Sequence, residues 1–219
     1  MTAADEVPGR PPRRRRSDAQ ANHERLLQVA EEFFAARGLD ASLRVLAEEA
    51  QVGIGTLYRN FPSRLDLVRA LRDRILPEMD EVMSAAAAHP TGWEQLTAYI
   101  DGGIRLTLAH PLMYLINEWL RRHDPDFRPT ERWNAQVLAS VAQAHAEGSL
   151  RPDATATDVA LVPHVLSSLA MIPEPMRQVM IARQRAIILD GLRPGATAPL
   201  PGGALTPEEL ASTVGRARG

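Results

Sequence analysis

Residues 42–67, SLRVLAEEAQVGIGTLYRNFPSRLDL, constrain the fold of this chain more than any other stretch. Leu43, Leu46, Ala47 and Ala50 recur at i, i+3, i+4 and i+7, the apolar stripe of a short helix. Ser42 stands at its N-cap position, where a hydroxyl can accept a backbone N–H of the first turn. Gln51, Val52 and Gly53 interrupt the period; the glycine can take the positive φ of a sharp reversal, and Val52 can plug the angle between two helices. A second helix is expected over residues 54–60, with Leu57 and Phe61 on one face, Tyr58 at its border, and Thr56, Arg59 and Asn60 turned away. So short a helix is unstable alone, and packing of the Leu57 side must hold it. Pro62-Ser63 stops it and caps the next helix, where Leu65, Val68 and Leu71 continue the period. The pattern is two short helices around a tight turn, packed on one side. The other side shows hydroxyl, phenol, guanidinium and amide groups, which suit phosphates and base edges.

This segment resembles the DNA-binding region of TetR/AcrR-type transcriptional regulators. Arg44, Ala47, Val52, Gly55, Thr56, Leu57, Tyr58 and Phe61 occupy the matching positions, behind a helix over residues 22–36 stopped at Arg37-Gly38. The resemblance covers about residues 22–72. Four positions depart from the family pattern. Gly53 stands where a Ser or Thr often caps the recognition helix, Ile54 replaces a commonly polar residue, Asn60 the usual His, and Arg64 the usual Lys. Ile54 either offers apolar contact to a thymine methyl or loses a contact, and Arg64 keeps the charge that faces phosphate.

The resemblance implies an all-α protein of about nine helices: an N-terminal three-helix helix-turn-helix DNA-binding domain, then a C-terminal helical ligand-binding and dimerisation bundle. It implies a homodimer joined through the last two helices, and repression of a palindromic operator relieved by a small apolar or amphipathic ligand. Within that reading Arg44, Thr56 and Arg59 are expected at or near base edges. Ser42, Tyr58, Asn60 and Arg64 are expected on phosphates, with Ile54 and Gly55 completing the DNA-facing set. One helix-turn-helix reads few base pairs, so a twofold dimer on a palindrome is the expected solution. Two other readings stay open: an effector-independent regulator or activator with a solid helical core, and a helix-turn-helix used for protein contacts.

Charge is distributed as a DNA-facing end requires. All 25 basic residues are arginine; residues 10–74 hold 13 of them against 9 acids, and residues 75–219 hold 12 against 16. Arg13–Arg16 follow two prolines and precede the first helix, so residues 1–17 are expected to form a disordered basic arm that adds phosphate contacts or enters a minor groove. The absence of cysteine excludes disulfides and thiolate metal sites. With no apolar run of about 18 residues and no signal-like start, the expected location is cytoplasmic, with no membrane partner.

Beyond the motif, ranges follow from Pro, Gly and period. The expected domains are 18–66 for DNA binding, 67–193 for ligand binding and dimerisation, and 194–219 as a disordered tail. A long helix over 63–88 is expected to bend near Pro77, followed by helices over 93–109, 111–122, 130–147, 155–172 (kinked at Pro163) and 177–192. The last two are apolar on more than one stripe, enough for a core and a partner. Ile100, Ile104, Tyr114, Asn117, Trp133, Val137, His164 and Ser167 are the candidate lining of a ligand pocket: aliphatic walls with a few orienting polar groups. Each of these aromatics can equally be ordinary core, and His164 a hydrogen-bonded core histidine. Zinc-protease, di-iron, nucleophile-elbow and phosphate-loop spacings are absent from the chain, so no enzyme activity, cofactor or metal is expected. Gly102-Gly103 is read as close helix packing.

Overall fold

The computed structural model describes residues 12–128, 131–195, 198–203, 205–206 and 209, with side chains from residue 20 onward except those of residues 131, 167 and 171. Among the described residues there are ten α-helices, one 3-10 turn and no strand. The chain divides into two units, Met1–Leu67 and Val68–Gly219, a boundary one residue past the expected one.

The first unit contains α1 (Pro12–Arg37), α2 (Leu43–Glu49), α3 (Ile54–Asn60) and the start of α4 (Arg64–Asp73). α1 starts at Pro12, so the backbone of residues 12–17, expected in a disordered arm, is helical; the Arg13–Arg16 side chains and residues 1–11 lie outside the described set. Leu26, Leu27, Ala30, Phe33 and Phe34 recur on one face of α1 and are buried. Gly38 ends the helix at φ 79, its N–H donating 2.8 Å to the Phe34 carbonyl, a left-handed cap that a side chain would strain. α2 adds Leu46, Ala47 and Ala50 to the same core. From α3 and its end come Leu57 and Phe61, at 1% and 3% exposure. Burying one such leucine is worth roughly 1.5–3 kcal/mol, which holds a seven-residue helix in place.

The reversal between α2 and α3 is made differently from the expectation. Gln51, not Gly53, has the positive φ (55), and its N–H together with that of Val52 reaches back to Glu48 and Ala47, closing α2. Gly53 is extended (φ −67, ψ 144) and serves as the N-cap of α3 with no side chain to accept a bond. Ser42 has N-cap geometry as well, but its hydroxyl makes no capping bond. Ser63 does cap: its Oγ accepts from the Asp66 N–H at 3.1 Å and donates to the Asp66 carboxylate at 2.7 Å.

In the second unit the expected bent helix over 63–88 is two helices, α4 and α5 (Leu76–Ala87). Pro77 falls in the first turn of α5, where its missing N–H costs nothing, and the break lies at Arg74-Ile75. Then come α6 (Gly92–Ala109), α7 (Leu112–His123), α8 (Glu131–Ala146), α9 (Ala156–Ser167), the 3-10 turn Ser168–Met171 and α10 (Met176–Gly191). Capping boxes start α6 (Thr91 with Glu94) and α9 (Thr155 with Asp158). α6 packs against α5, α8 and α9. Three glycines let it do so. A Cβ on Gly92 would overlap the backbone of Ala144, one on Gly102 the side chain of Val82, and one on Gly103 would lie 2.8 Å from Pro163. Gly102-Gly103 is thus a packing device. Leu96, Ile100, Val141, Val159 and Leu166 form the centre of the core.

Residues 198–200, expected as disordered tail, are held. Arg151, 7% exposed, donates to the Gly191 carbonyl (3.1 Å) and the Ala198 carbonyl (2.8 Å), and the Asp153 carboxylate accepts the Leu200 N–H at 2.7 Å. Arg193 stacks its guanidinium on Trp93, 3.7 Å from the ring centre. No described helix is long and apolar enough to cross a membrane.

Candidate functional site

In the first unit the starts of α2, α3 and α4 converge on one groove. It is lined by Ser42, Leu43, Arg44, Ile54, Tyr58 and the Pro62–Arg64 turn. The structure therefore brings together five of the expected DNA-facing residues: Ser42, Arg44, Ile54, Tyr58 and Arg64. Arg44, Ile54 and Tyr58 are exposed, Tyr58 at 47%. Such exposure of a phenol and a large aliphatic side chain on a helix held by its opposite face leaves both free for a partner surface. Arg64 is half-buried, its Nη1 donating to the Leu39 carbonyl, so it also ties the start of α4 to the α1–α2 loop.

Gly55, Thr56, Arg59 and Asn60 lie outside the groove on α3 itself. Gly55 is exposed with nothing within 4 Å of a Cβ position, so bare backbone faces outward there. Arg59 is exposed and its Nη2 donates 3.0 Å to Thr56 Oγ1, which orients the guanidinium along the helix. The Asn60 amide folds back to donate 2.8 Å to the Thr56 carbonyl, so it is already engaged locally.

The second unit holds a cavity of about 170 Å³ walled by residues of α4 to α9. Of the candidate lining, Tyr114, Asn117, Trp133, Val137 and His164 are on its wall. Ile100 and Ile104 are not: at 0% and 7% exposure they are core, and α6 instead meets the cavity through Tyr99, Gly103, Leu106 and Thr107. A shared apolar stripe does not say which neighbour it faces. Ser167 belongs to α9, but its side chain lies outside the described set.

Most polar groups on this wall are already engaged. Trp133 Nε1 donates 2.9 Å to Asp80, Thr107 Oγ1 donates 2.8 Å to the Gly103 carbonyl, and the Tyr99 hydroxyl reaches the Ala160 carbonyl at 3.4 Å. Burial pushes the Tyr99 phenol up to about 12. Tyr114 and His164 pack ring against ring, 5.3 Å between centres. Burial, then the Arg121 charge, lower the pKa of His164, so it is neutral at pH 7. Arg121 is ion-paired with Glu118 at 2.6 Å. Asn117 Oδ1 is buried and accepts no hydrogen bond. Arg72 lies over the Phe127 ring at 5.0 Å with Asp73 4.0 Å away, and burial lowers its pKa. Arg72, Tyr99 and Arg121 are not singled out by the sequence pattern. The one signal for Arg72 is a guanidinium beside the apolar phase of Val68, Leu71 and Ile75.

A three-helix head with an exposed polar face on its third helix is the helix-turn-helix class of DNA-binding domain. Residues 26–71 match the family described as bacterial regulatory proteins, tetR family. An HTH-type transcriptional regulator of Staphylococcus aureus is 32% identical over 99 residues, 41% of this chain and 51% of that protein. A further S. aureus regulator of the same description is 38% identical over 53 residues, 24% of this chain and 29% of that protein. The chain thus spans about half or less of the length of the curated relatives it matches. A TetR transcriptional regulator from Streptomyces coelicolor aligns over 80% of this chain and 99% of its own, at 28% identity and a TM-score of 0.51. The ketosteroid transcriptional regulator KstR2 of Mycobacterium tuberculosis shares the fold, at 20% identity and a TM-score of 0.60, over 86% of this chain and 99% of its own. The family match thus lies on the helix-turn-helix head, residues 26–71, and the likeness of the longer chain to solved regulators is one of fold.

Proposed function

We propose that this chain is a homodimeric, cytoplasmic repressor, without enzyme activity, that binds a palindromic operator and is released by a small ligand held in the second unit. The observation that carries the reading is the groove where α2, α3 and α4 begin, with Arg44 exposed on α2 and Tyr58 exposed on α3, the helix packed by Leu57. Arg44, Thr56 and Arg59 reach base edges, with Ile54 and Gly55 at the same surface; Ser42, Tyr58, Asn60 and Arg64 position the domain on phosphates. The Arg13–Arg16 run adds phosphate contacts. Replacing those four arginines with Gln should reduce the slope of log affinity against log salt by about 0.9 for each phosphate that is no longer neutralised.

Dimerisation through α9 and α10 is supported by Val165, Met176, Val179 and Ile187, each more than half exposed. Such a dimer places two recognition helices one DNA turn apart, about 34–36 Å, and the ligand acts by favouring a dimer with another spacing. DNA recovered from genome-wide binding by the protein supplies the operator. On that fragment the Tyr58→Ala, Arg59→Ala double variant should lose specific binding in a mobility-shift assay while sedimenting as the parent does. Retained binding would refute the contact assignment.

A further inference from the structure

The cavity in the second unit holds a polar group that the fold leaves unanswered. Among the described residues, Asn117 Oδ1 is buried and accepts no hydrogen bond. A buried acceptor without a donor forfeits the bond it made to water, so a molecule that brings a donor to it supplies what the folded chain lacks. Asn117 sits on α7 four residues after Met113 and four before Arg121, and all three wall the cavity. That spacing keeps them on one helix face, so the amide belongs to the cavity side of α7.

The neighbouring side chains offer ring and thioether surface instead of donors. Trp133 Nε1 donates to Asp80 at 2.9 Å, and the Tyr99 hydroxyl donates to the Ala160 carbonyl at 3.4 Å. Thr107 Oγ1 is turned to the Gly103 carbonyl at 2.8 Å. Each of these donors is thereby committed to a partner other than Asn117. Met79 and Met113 add polarisable sulfur, which favours an aromatic neighbour over a saturated one. The volume of about 170 Å³ is close to the roughly 150 Å³ of an engineered apolar cavity that holds benzene. A space of that size admits a single ring with a small substituent.

We propose that the cavity takes a single-ring aromatic molecule of the phenol type, with its ring among Met79, Tyr99, Met113 and Trp133 and its hydroxyl or N–H donating to Asn117 Oδ1. This rests on the effector reading given above and deepens it by naming the ligand class.

The test is calorimetric titration of the full-length protein at pH 7 with isosteric pairs, phenol against toluene and each cresol against its xylene, and with cyclohexanol and the methylcyclohexanols. All are uncharged at that pH, so ionic attraction does not enter the comparison. At least one phenol should bind about five-fold or more tightly than its hydrocarbon isostere, and several-fold more tightly than its saturated counterpart. Asn117→Leu should reverse the first preference, because the hydroxyl then meets no acceptor and the hydrocarbon becomes the tighter of the pair. A folded variant that keeps the preference overturns Asn117 as the acceptor, and the ligand series on the parent protein stands even where the variant fails to fold. Toluene and the xylenes binding as tightly as every phenol overturns the donor assignment. Saturated alcohols that match the phenols overturn the ring assignment. If no ring binds, a thermal-shift screen with straight-chain alcohols, fatty acids and sugars separates the two readings. A hit that releases operator DNA overturns this ligand class alone, and the absence of any hit overturns the effector reading with it.

Discussion

Asp124 keeps its charge at 6% exposure because both carboxylate oxygens are taken by Arg69, at 2.6 and 2.7 Å, and one also accepts the Asp126 N–H at 3.1 Å. The Arg69 hydrogen bonds, first among the causes, hold its pKa below the usual value of 3.8. A depressed folded-state pKa means that the stabilisation is complete above the unfolded carboxylate pKa and is lost as pH falls through the folded one. Arg69 is 41% exposed, so the pair is screened, and Asp124→Asn should cost about 1–2 kcal/mol in urea unfolding at pH 7. The cost should shrink as both proteins are acidified below pH 4. An unchanged difference at pH 2.5 would assign the loss to packing. At this scale the sequence is legible where chemistry is local, as at the Ser63 cap, which the fold completes with Asp66. It is illegible where partners are far apart: the 55-residue separation of Arg69 and Asp124 leaves no spacing to read.

α3 is legible to the residue, because a turn before it and Pro62 after it bound a seven-residue pattern with one packed face. The α4–α5 break is not, since Pro77 marks a bend or a first turn equally well and only Arg74-Ile75, two ordinary residues, carry the interruption. The strap at residues 198–200 is hidden by composition: Gly, Pro and Ala read as disorder, while the groups that hold it, Arg151 and Asp153, lie far upstream. Hydrogen bonds from Arg151, then from the Leu200 N–H, bring the Asp153 pKa down to about 2. Two readouts follow. The Leu200 amide should be protected from hydrogen exchange at neutral pH, and its chemical shift should titrate near pH 2. Arg151→Gln should raise the pH of that titration toward 3.8; an unmoved midpoint would mean that Arg151 does not set it.

At the scale of the molecule, the two units divide the chemistry. The first offers an outward groove, the second an inward cavity. The helix-turn-helix and its likeness to the family model are readable from one 26-residue stretch because several spacings have to hold at once; the cavity is readable only as a set of polar and aromatic exceptions, five of which the fold gathers. Exposed Val179 and Ile187 lie on α10. Val179→Asp with Ile187→Asp should convert a dimer to monomers in sedimentation velocity, and operator affinity should fall at least ten-fold as the two half-sites are no longer bound together. A double variant that still sediments as a dimer would place the interface elsewhere. α9 serves two surfaces at once, since Ala160, Pro163 and His164 wall the cavity while Val165, at 58% exposure, faces outward from the same two turns. In the proposed ligand-responsive dimer, a helix shared in this way would make occupancy and self-association thermodynamically reciprocal: whatever factor the ligand imposes on subunit affinity, subunit association must impose on ligand affinity. On that proposal, ligand titrations above and below the dimer dissociation constant should give two different affinities, and their ratio is the coupling that the fold transmits; equal affinities would show that α9 does not couple the two surfaces.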